Sequence, residues 1–328
     1  MKNIYIILLL VLFGQLVHAQ QEGLQTQFMY NKLAFNPAYA GSYAAPVVTA
    51  VNRTQWIGIE GAPTTQAVSF CQPMLSNHFG LGVNLVRNVI TINRTLTAEL
   101  SYAYQMALPR GYLGIGIQAS MRHFKQDWND SRIVTSQPAS ADDALPNGVQ
   151  GKVLPNFGAG VFYTAPRWYA GLSLPRLVDN NIDFSELGEA SREARHFNMM
   201  VGAAFALSET MDIIPQTQFR YVKNAPPDLD INVMLDVRRK FLGGMTYRIG
   251  GDKNGLGESI DIMAGAYATK NLMFMLSYDI GLTRLSSFQN GSIEATLRWI
   301  INPPEGSDTI DPNRPDRSSG GRGSFYYF

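Results

Sequence analysis

From Val47 onward, apolar residues recur at every second position of the chain. The clearest run is Leu96, Ala98, Leu100, Tyr102, Tyr104, Met106 and Leu108, separated by Thr95, Thr97, Glu99, Ser101, Ala103 and Gln105. Period two is the signature of a strand with two unlike faces. The run is longer than the five or six residues usual in globular proteins. It fits the 9–11 tilted residues with which a strand crosses a bilayer. The pattern returns at Phe79–Leu85, Leu113–Gln118, Phe197–Leu207, Leu229–Arg238, Leu272–Tyr278 and Ile293–Trp299. Less regular runs lie near 47–57, 64–72, 156–164, 167–175, 212–222, 241–249 and 258–268. Together they predict about fourteen strands, an even number as in single-chain bacterial barrels.

The connections are sorted by length. Every second one is tight: Leu108-Pro109-Arg110-Gly111, Ala165-Pro166-Arg167, Ser208-Glu209-Thr210, Arg239-Lys240 and Thr269-Lys270-Asn271, with Pro73 to His78 a little longer. The intervening ones are longer, notably Gln126–Pro155, Leu177–Ala194, Gly250–Gly257 and Gly281–Gly291. If both termini lie in the periplasm, the tight turns fall there and the long loops outside, as in outer-membrane barrels. In hydrocarbon each unpaired backbone N–H or C=O costs several kcal/mol, so a spanning sheet must close on itself. The expected fold is therefore all-β: a transmembrane antiparallel up-and-down barrel with a short N-terminal segment and a disordered C-terminal tail. Trp56, Trp168, Tyr169 and Trp299, near strand ends, suit the aromatic girdles of such a barrel.

The first residues agree. Lys2, the apolar run Ile4–Phe13 and the small-residue site Val17-His18-Ala19 predict a secretory signal peptide over residues 1–19. Residues 20–45 form an N-terminal plug or a periplasmic lead-in, carrying Phe28, Met29, Tyr30, Phe35 and Tyr39; residues 46–301 form the barrel. Residues 302–328 read as a flexible periplasmic tail, poor in apolar residues until Phe325-Tyr326-Tyr327-Phe328, which suits a docking or assembly tag. Charged residues make up 16% of the chain, against about a quarter in soluble proteins. The formal net charge is +1, so no nucleic acid is implied as partner. Cys71, a lone cysteine in a strand-like run, reads as an inert wall residue.

Candidate chemistry is sparse. His78, His123 and His196 have no ligand neighbours at metal spacing, and no nucleophile with an activating base stands out. The glycines of Gly111–Gly116 alternate through a strand, with no helix following, so they are no phosphate loop. No catalytic residue, metal or cofactor is expected. The informative set is the charges of inward parity: Glu99, Arg122, Arg220, Asp230, Asp236, Arg238, Asp261, Asp279, Glu294 and Arg298. They read as a salt-bridge lattice bracing the lumen or as a selectivity element. The long loop carrying Trp128, Asp142 and Asp143 suits an outer binding surface.

Specific stretches resemble the PorP/SprF family. They are Gln27-Phe28-Met29-Tyr30-Asn31, the motif Asn36-Pro37-Ala38-Tyr39-Ala40-Gly41-Ser42, and Asn52-Arg53-Thr54-Gln55-Trp56 followed by Gly61-Ala62-Pro63-Thr64-Thr65. Later come Tyr169–Pro175, Gly243–Arg248, Ser277-Tyr278-Asp279 and Gly291–Glu294. The resemblance implies a non-catalytic outer-membrane barrel of the Bacteroidota, linked to type IX secretion and gliding motility. It would anchor or help export a secreted surface protein or adhesin, meeting type IX secretion components in the periplasm and outer-membrane lipid around the wall. A small-solute, porin-like channel is the alternative, supported by the charged lumen.

Overall fold

The computed structural model describes residues 25–75, 78–130, 132, 148–182, 193–223, 225–238, 240–250 and 257–302. The expected signal peptide, Asp142, Asp143 and residues 303–328 lie outside the described residues. Strands β1 to β7 are Val47–Thr54, Thr64–Met74, Phe79–Ile90, Asn93–Leu108, Gly111–Asp127, Val149–Thr164 and Trp168–Leu174. Strand β8 is interrupted once, as His196–Ala203 and Phe205–Ser208, where the Ala204 amide turns to the Arg167 carbonyl. Strands β9 to β14 are Met211–Val222, Asp228–Val237, Phe241–Ile249, Ser259–Thr269, Leu272–Gly281 and Ser292–Ile300.

Each strand pairs antiparallel with its chain neighbour, and β14 returns to β1 in the register Val47↔Ile300 to Thr54↔Ile293. The sheet is a closed fourteen-stranded barrel, so its interior strands leave no free edge for hydrocarbon to meet. Among the described residues no helix is long and apolar enough to cross a membrane. The period-two pattern becomes two unlike surfaces: Leu100, Tyr102, Ile115, Ile117, Phe157, Phe274 and Leu297 point outward and are exposed, while Ser101, Gln118, Asn156 and Thr296 point inward and are buried. An apolar exterior around a filled interior is the arrangement of a membrane barrel.

Connections at one end are short (75–78, 109–110, 165–167, 209–210, 238–240 and 270–271), and this end also holds the start of β1 and the end of β14. Those at the other end are mostly long, with one departure from the expected sorting. Strands β3 and β4 run on to Ile90 and Asn93 and are joined by Thr91-Ile92 alone. That turn is braced from the side: Thr91 takes a left-handed φ of +52° and its amide donates to the Gly61 carbonyl at 2.8 Å. The aromatic expectation also needs correcting at Tyr169 and at Trp56, whose side chain lines the interior cavities. Trp168 and Trp299 face outward at the short-turn end, but Tyr169 is fully buried, with its hydroxyl on Gln216. Adjacent strand residues face opposite sides, so Trp168 and Tyr169 cannot both meet lipid.

An outward face in hydrocarbon predicts a steep asymmetry between neighbours. Ile117→Arg, at the middle of the exterior band, is expected to weaken folding into lipid vesicles by roughly 2–4 kcal/mol. Denaturant titration of the vesicle-inserted protein measures this. A soluble sheet would register almost nothing at so exposed a position.

Candidate functional site: the interior of the barrel

Residues 25–45 lie inside the barrel. Asn36-Pro37-Ala38-Tyr39 forms a capped 3-10 turn, in which the Asn36 side chain accepts from the Ala38 amide at 2.9 Å and proline occupies the first position. The same Asn36 donates its amide to the carbonyls of Val161 and Leu172 at 3.0 and 3.2 Å, bridging β6 and β7. Gln105 of β4 donates to the carbonyls of Ala38 and Ala40. The segment therefore satisfies its own backbone polar groups with lumen side chains, as a buried irregular stretch must.

The wall is cut to receive it. A Cβ on Gly80 would stand 2.1 Å from the Ala40 carbonyl oxygen, and one on Gly116 would stand 2.4 Å from the Ala38 nitrogen. Neither position tolerates any side chain while the segment is in place. Gly41 crosses here with φ +68° and donates its amide to Cys71 Sγ, which is buried in the wall. Beside and within this strip Phe28, Met29, Leu33, Phe35 and Tyr39 pack in one cluster with Phe162, Tyr169, Met200, Met234, Met263, Met273 and Met275. The short-turn half of the lumen is consequently rich in apolar side chains, with Asp236 and Arg298 buried among them. Lys32 is buried there too, donating to the Met29 carbonyl with its ammonium 4.7 Å from the Tyr169 ring.

Toward the long-loop end the interior becomes ionic. Asp230 accepts from Arg248 at 2.8 Å and Arg220 at 3.1 Å, and Arg248 reaches Asp261 at 3.6 Å. Arg53 pairs with Asp279 at 2.7 Å and Glu294 at 3.2 Å. The inner segment is woven into this lattice. Thr26 Oγ1 donates to Asp279 and accepts from Arg53, while the amides of Thr26 and Gln27 donate to the two oxygens of Glu294 at 2.8 and 2.9 Å. Three guanidinium groups and four carboxylates are held by each other and by the chain that passes between them.

Of the expected lumen charges, Arg220, Asp230, Asp261, Asp279 and Glu294 meet in this lattice. Glu99 and Arg122 stand on a different stretch of wall, where Glu99 accepts from Asn84 at 2.7 Å and Arg122 pairs with Glu193 at 2.9 Å. Asp236 and Arg298 are buried in the short-turn half, with Arg298 over the Tyr43 ring. Arg238 is not in the lumen: it sits in the turn after β10 at φ +54° and is exposed. The parity count ran one residue beyond the strand, and a left-handed turn residue no longer obeys it. Arg248, Arg176 and Glu193 were missed as members of these clusters. Arg248 carried a signal in its inward parity opposite Asp230, whereas Arg176 and Glu193 lie in connections where alternation says nothing. Trp56 caps the interior with a half-buried ring at φ +48°, and Trp128 is half-buried with its amide on the Gly148 carbonyl. Against the inner face of β2 to β5, toward the long-loop side, a cavity of about 530 Å³ is lined by Phe35, Asn84, Glu99, Arg122, Glu193 and His196 among others. Among the described residues no three His, Cys, Asp or Glu side chains stand where they could hold a metal ion.

Two substitutions probe this interior. Gly116→Val is expected to expel the inner segment, making residues 25–45 cleavable by added protease while the barrel keeps its heat-modifiable mobility on gels. Arg53→Ala, which strands Asp279 and Glu294 without their cation, is expected to cost roughly 3–5 kcal/mol in denaturant titration, and a second change, Glu294→Gln, to return part of that loss.

The family model described as "Type IX secretion system membrane protein PorP/SprF" matches residues 17–299. No curated protein sequence matches the chain. Among solved structures, the Acinetobacter baumannii outer membrane protein Omp33 is similar at 9% identity and TM-score 0.45, covering 78% of this chain and 98% of that one. The Pseudomonas putida toluene transporter TodX is similar at 8% identity and TM-score 0.45, covering 85% and 93%. A Pseudomonas aeruginosa FadL homologue aligns at 10% identity and TM-score 0.42, covering 82% and 93%. Likeness at this level carries nothing about function.

Proposed function

The chain belongs to the PorP/SprF family of type IX secretion system membrane proteins, and from that premise we propose that it is a non-catalytic outer-membrane barrel that anchors, or assists export of, a secreted surface protein. The observation that carries this reading is the occupied interior. A lumen filled by residues 25–45, seated on side-chain-free wall and tied to Asp279 and Glu294, is built to stay closed. In this reading the segment is a plug, residues 1–19 are the export signal, and the tail from 302 onward meets type IX secretion components in the periplasm. The long-loop end, with Trp128 at its rim, receives the secreted protein or adhesin. The ion pairs brace the closed state and play no part in selecting solutes.

A small-solute channel has one specific observation in its favour, the 530 Å³ cavity at the long-loop end, whose lining includes Glu99, Arg122 and Glu193. Conductance separates the two. The purified barrel is expected to be silent in a planar bilayer, and a variant lacking Gln25–Ser42 to conduct. A deletion strain is expected to lose display of a type IX surface protein and to regain it with the plasmid-borne gene. Normal display of every such cargo in the deletion strain, or a wild-type barrel that conducts, overturns the proposal.

A further inference from the structure

On the outer wall, where the apolar exterior of β3 to β5 ends on the long-loop side, the side chains form a basic cluster. Strand register places it. Arg94 stands directly opposite Lys125, Leu96 lies between Arg87 and His123, and Arg87 is therefore diagonal to Arg94. All belong to the outward parity: Arg87 and Arg94 lie two residues along their strands from Leu85 and Leu96, and Lys125 lies four from Met121, all three of these being exposed and apolar. Like charges directly opposite on an antiparallel pair are destabilising, so Arg94 facing Lys125 needs an anion. Among the described residues Asp130 is close enough for Arg94 to act on it, but its two oxygens are held by Arg132 at 2.6 and 2.7 Å. Asp127 accepts from the Asn129 amide. Arg87 is oriented along the wall by Gln66, at 2.9 Å.

Arg87 is shared with a second feature. A groove of about 440 Å³ runs down the exterior beside it, floored by Ala50 and Ala295 and walled by Val68, Leu85, Phe274 and Leu297. Register explains the notch. Ala50 lies between Val68 and Leu297, and Asn52 lies between Gln66 and Ala295, so two small residues interrupt a row of large ones. The groove is apolar along its length and ends at Asn52, Gln66 and Arg87.

We infer that this face holds one phosphorylated lipid of the leaflet on the long-loop side, with its phosphate on Arg87, Arg94 and Lys125 and an acyl chain in the groove over Ala50 and Ala295. Charge and shape agree on that occupant: a multiply basic end calls for an anion, and an apolar channel at hydrocarbon depth calls for a chain. A second copy of the barrel fits poorly, because a two-fold contact would set one basic cluster against another. Residues that bind the lipid lie outside the lumen, so this site stands or falls separately from the anchoring role.

The test uses the full-length barrel in mild detergent, titrated with lipid A, with the same lipid stripped of phosphate, and with inorganic phosphate, and read by native mass spectrometry. One lipid A per barrel is expected, with neither dephosphorylated lipid nor inorganic phosphate matching it. With each cation near a lipid surface contributing as phosphate-facing lysines and arginines do, R87Q/R94Q/K125Q is expected to weaken lipid A binding roughly a hundredfold. Ala50→Phe, which fills the groove and leaves the charges, is expected to weaken it as well. Thermal unfolding supplies a second readout: without lipid, Arg94→Gln should leave stability equal or higher, since it removes a repulsion. Lipid A binding unchanged in the triple variant, inorganic phosphate bound as tightly as lipid A, or dimers joined through this face in place of a lipid adduct would each overturn the inference.

Discussion

Everything in this molecule depends on the need to pair backbone amides where no water can do so. A sheet that meets hydrocarbon has no acceptable edge, and the pairing of β14 with β1 removes it. Closure at fourteen strands then creates a second problem, because the cylinder is wider than its own side chains fill. The chain answers with its own N-terminal segment, which starts among the charges near the long-loop end, descends through the lumen, and only then turns into β1 at the short-turn end.

That segment brings unpaired polar groups into the interior, and the lumen wall is specialised to meet them in two ways. Where backbone touches backbone, at Gly80 and Gly116, side chains are absent. Where the segment begins its path, Asp279 and Glu294 accept from Thr26 and Gln27 while Arg53 neutralises both. Burying ions is costly unless each is paired and hydrogen-bonded, so the lattice and the segment require each other. Removing either leaves the other with uncompensated charge or exposed amides.

Much of this was legible beforehand. Alternation located all fourteen strands, and the inward parity of Asp230, Asp261, Asp279 and Glu294 placed them in the lumen, because period two is dictated by the pleat itself. The limits were equally physical. Arg238 fell out of the set because parity ends where a left-handed turn begins. The tight Thr91-Ile92 turn was missed because β3 and β4 continue past their apolar runs. The apolar half of the lumen was missed although Met234, Met273 and Met275 sit at inward positions. Alternation identifies a face but not its occupant, and these methionines made sense only once Phe28 and Leu33 lay against them. The inward glycines at 80, 114 and 116 carried the same message, small residues where another backbone passes.

Amide hydrogen exchange at Thr26 and Gln27, in the full-length protein in a lipid bilayer, tests most directly whether the interior is held closed by its own chain. Because both amides are bonded to buried Glu294, the account predicts protection comparable to that of the strand amides around them. Exchange as fast as in an unstructured peptide would contradict it.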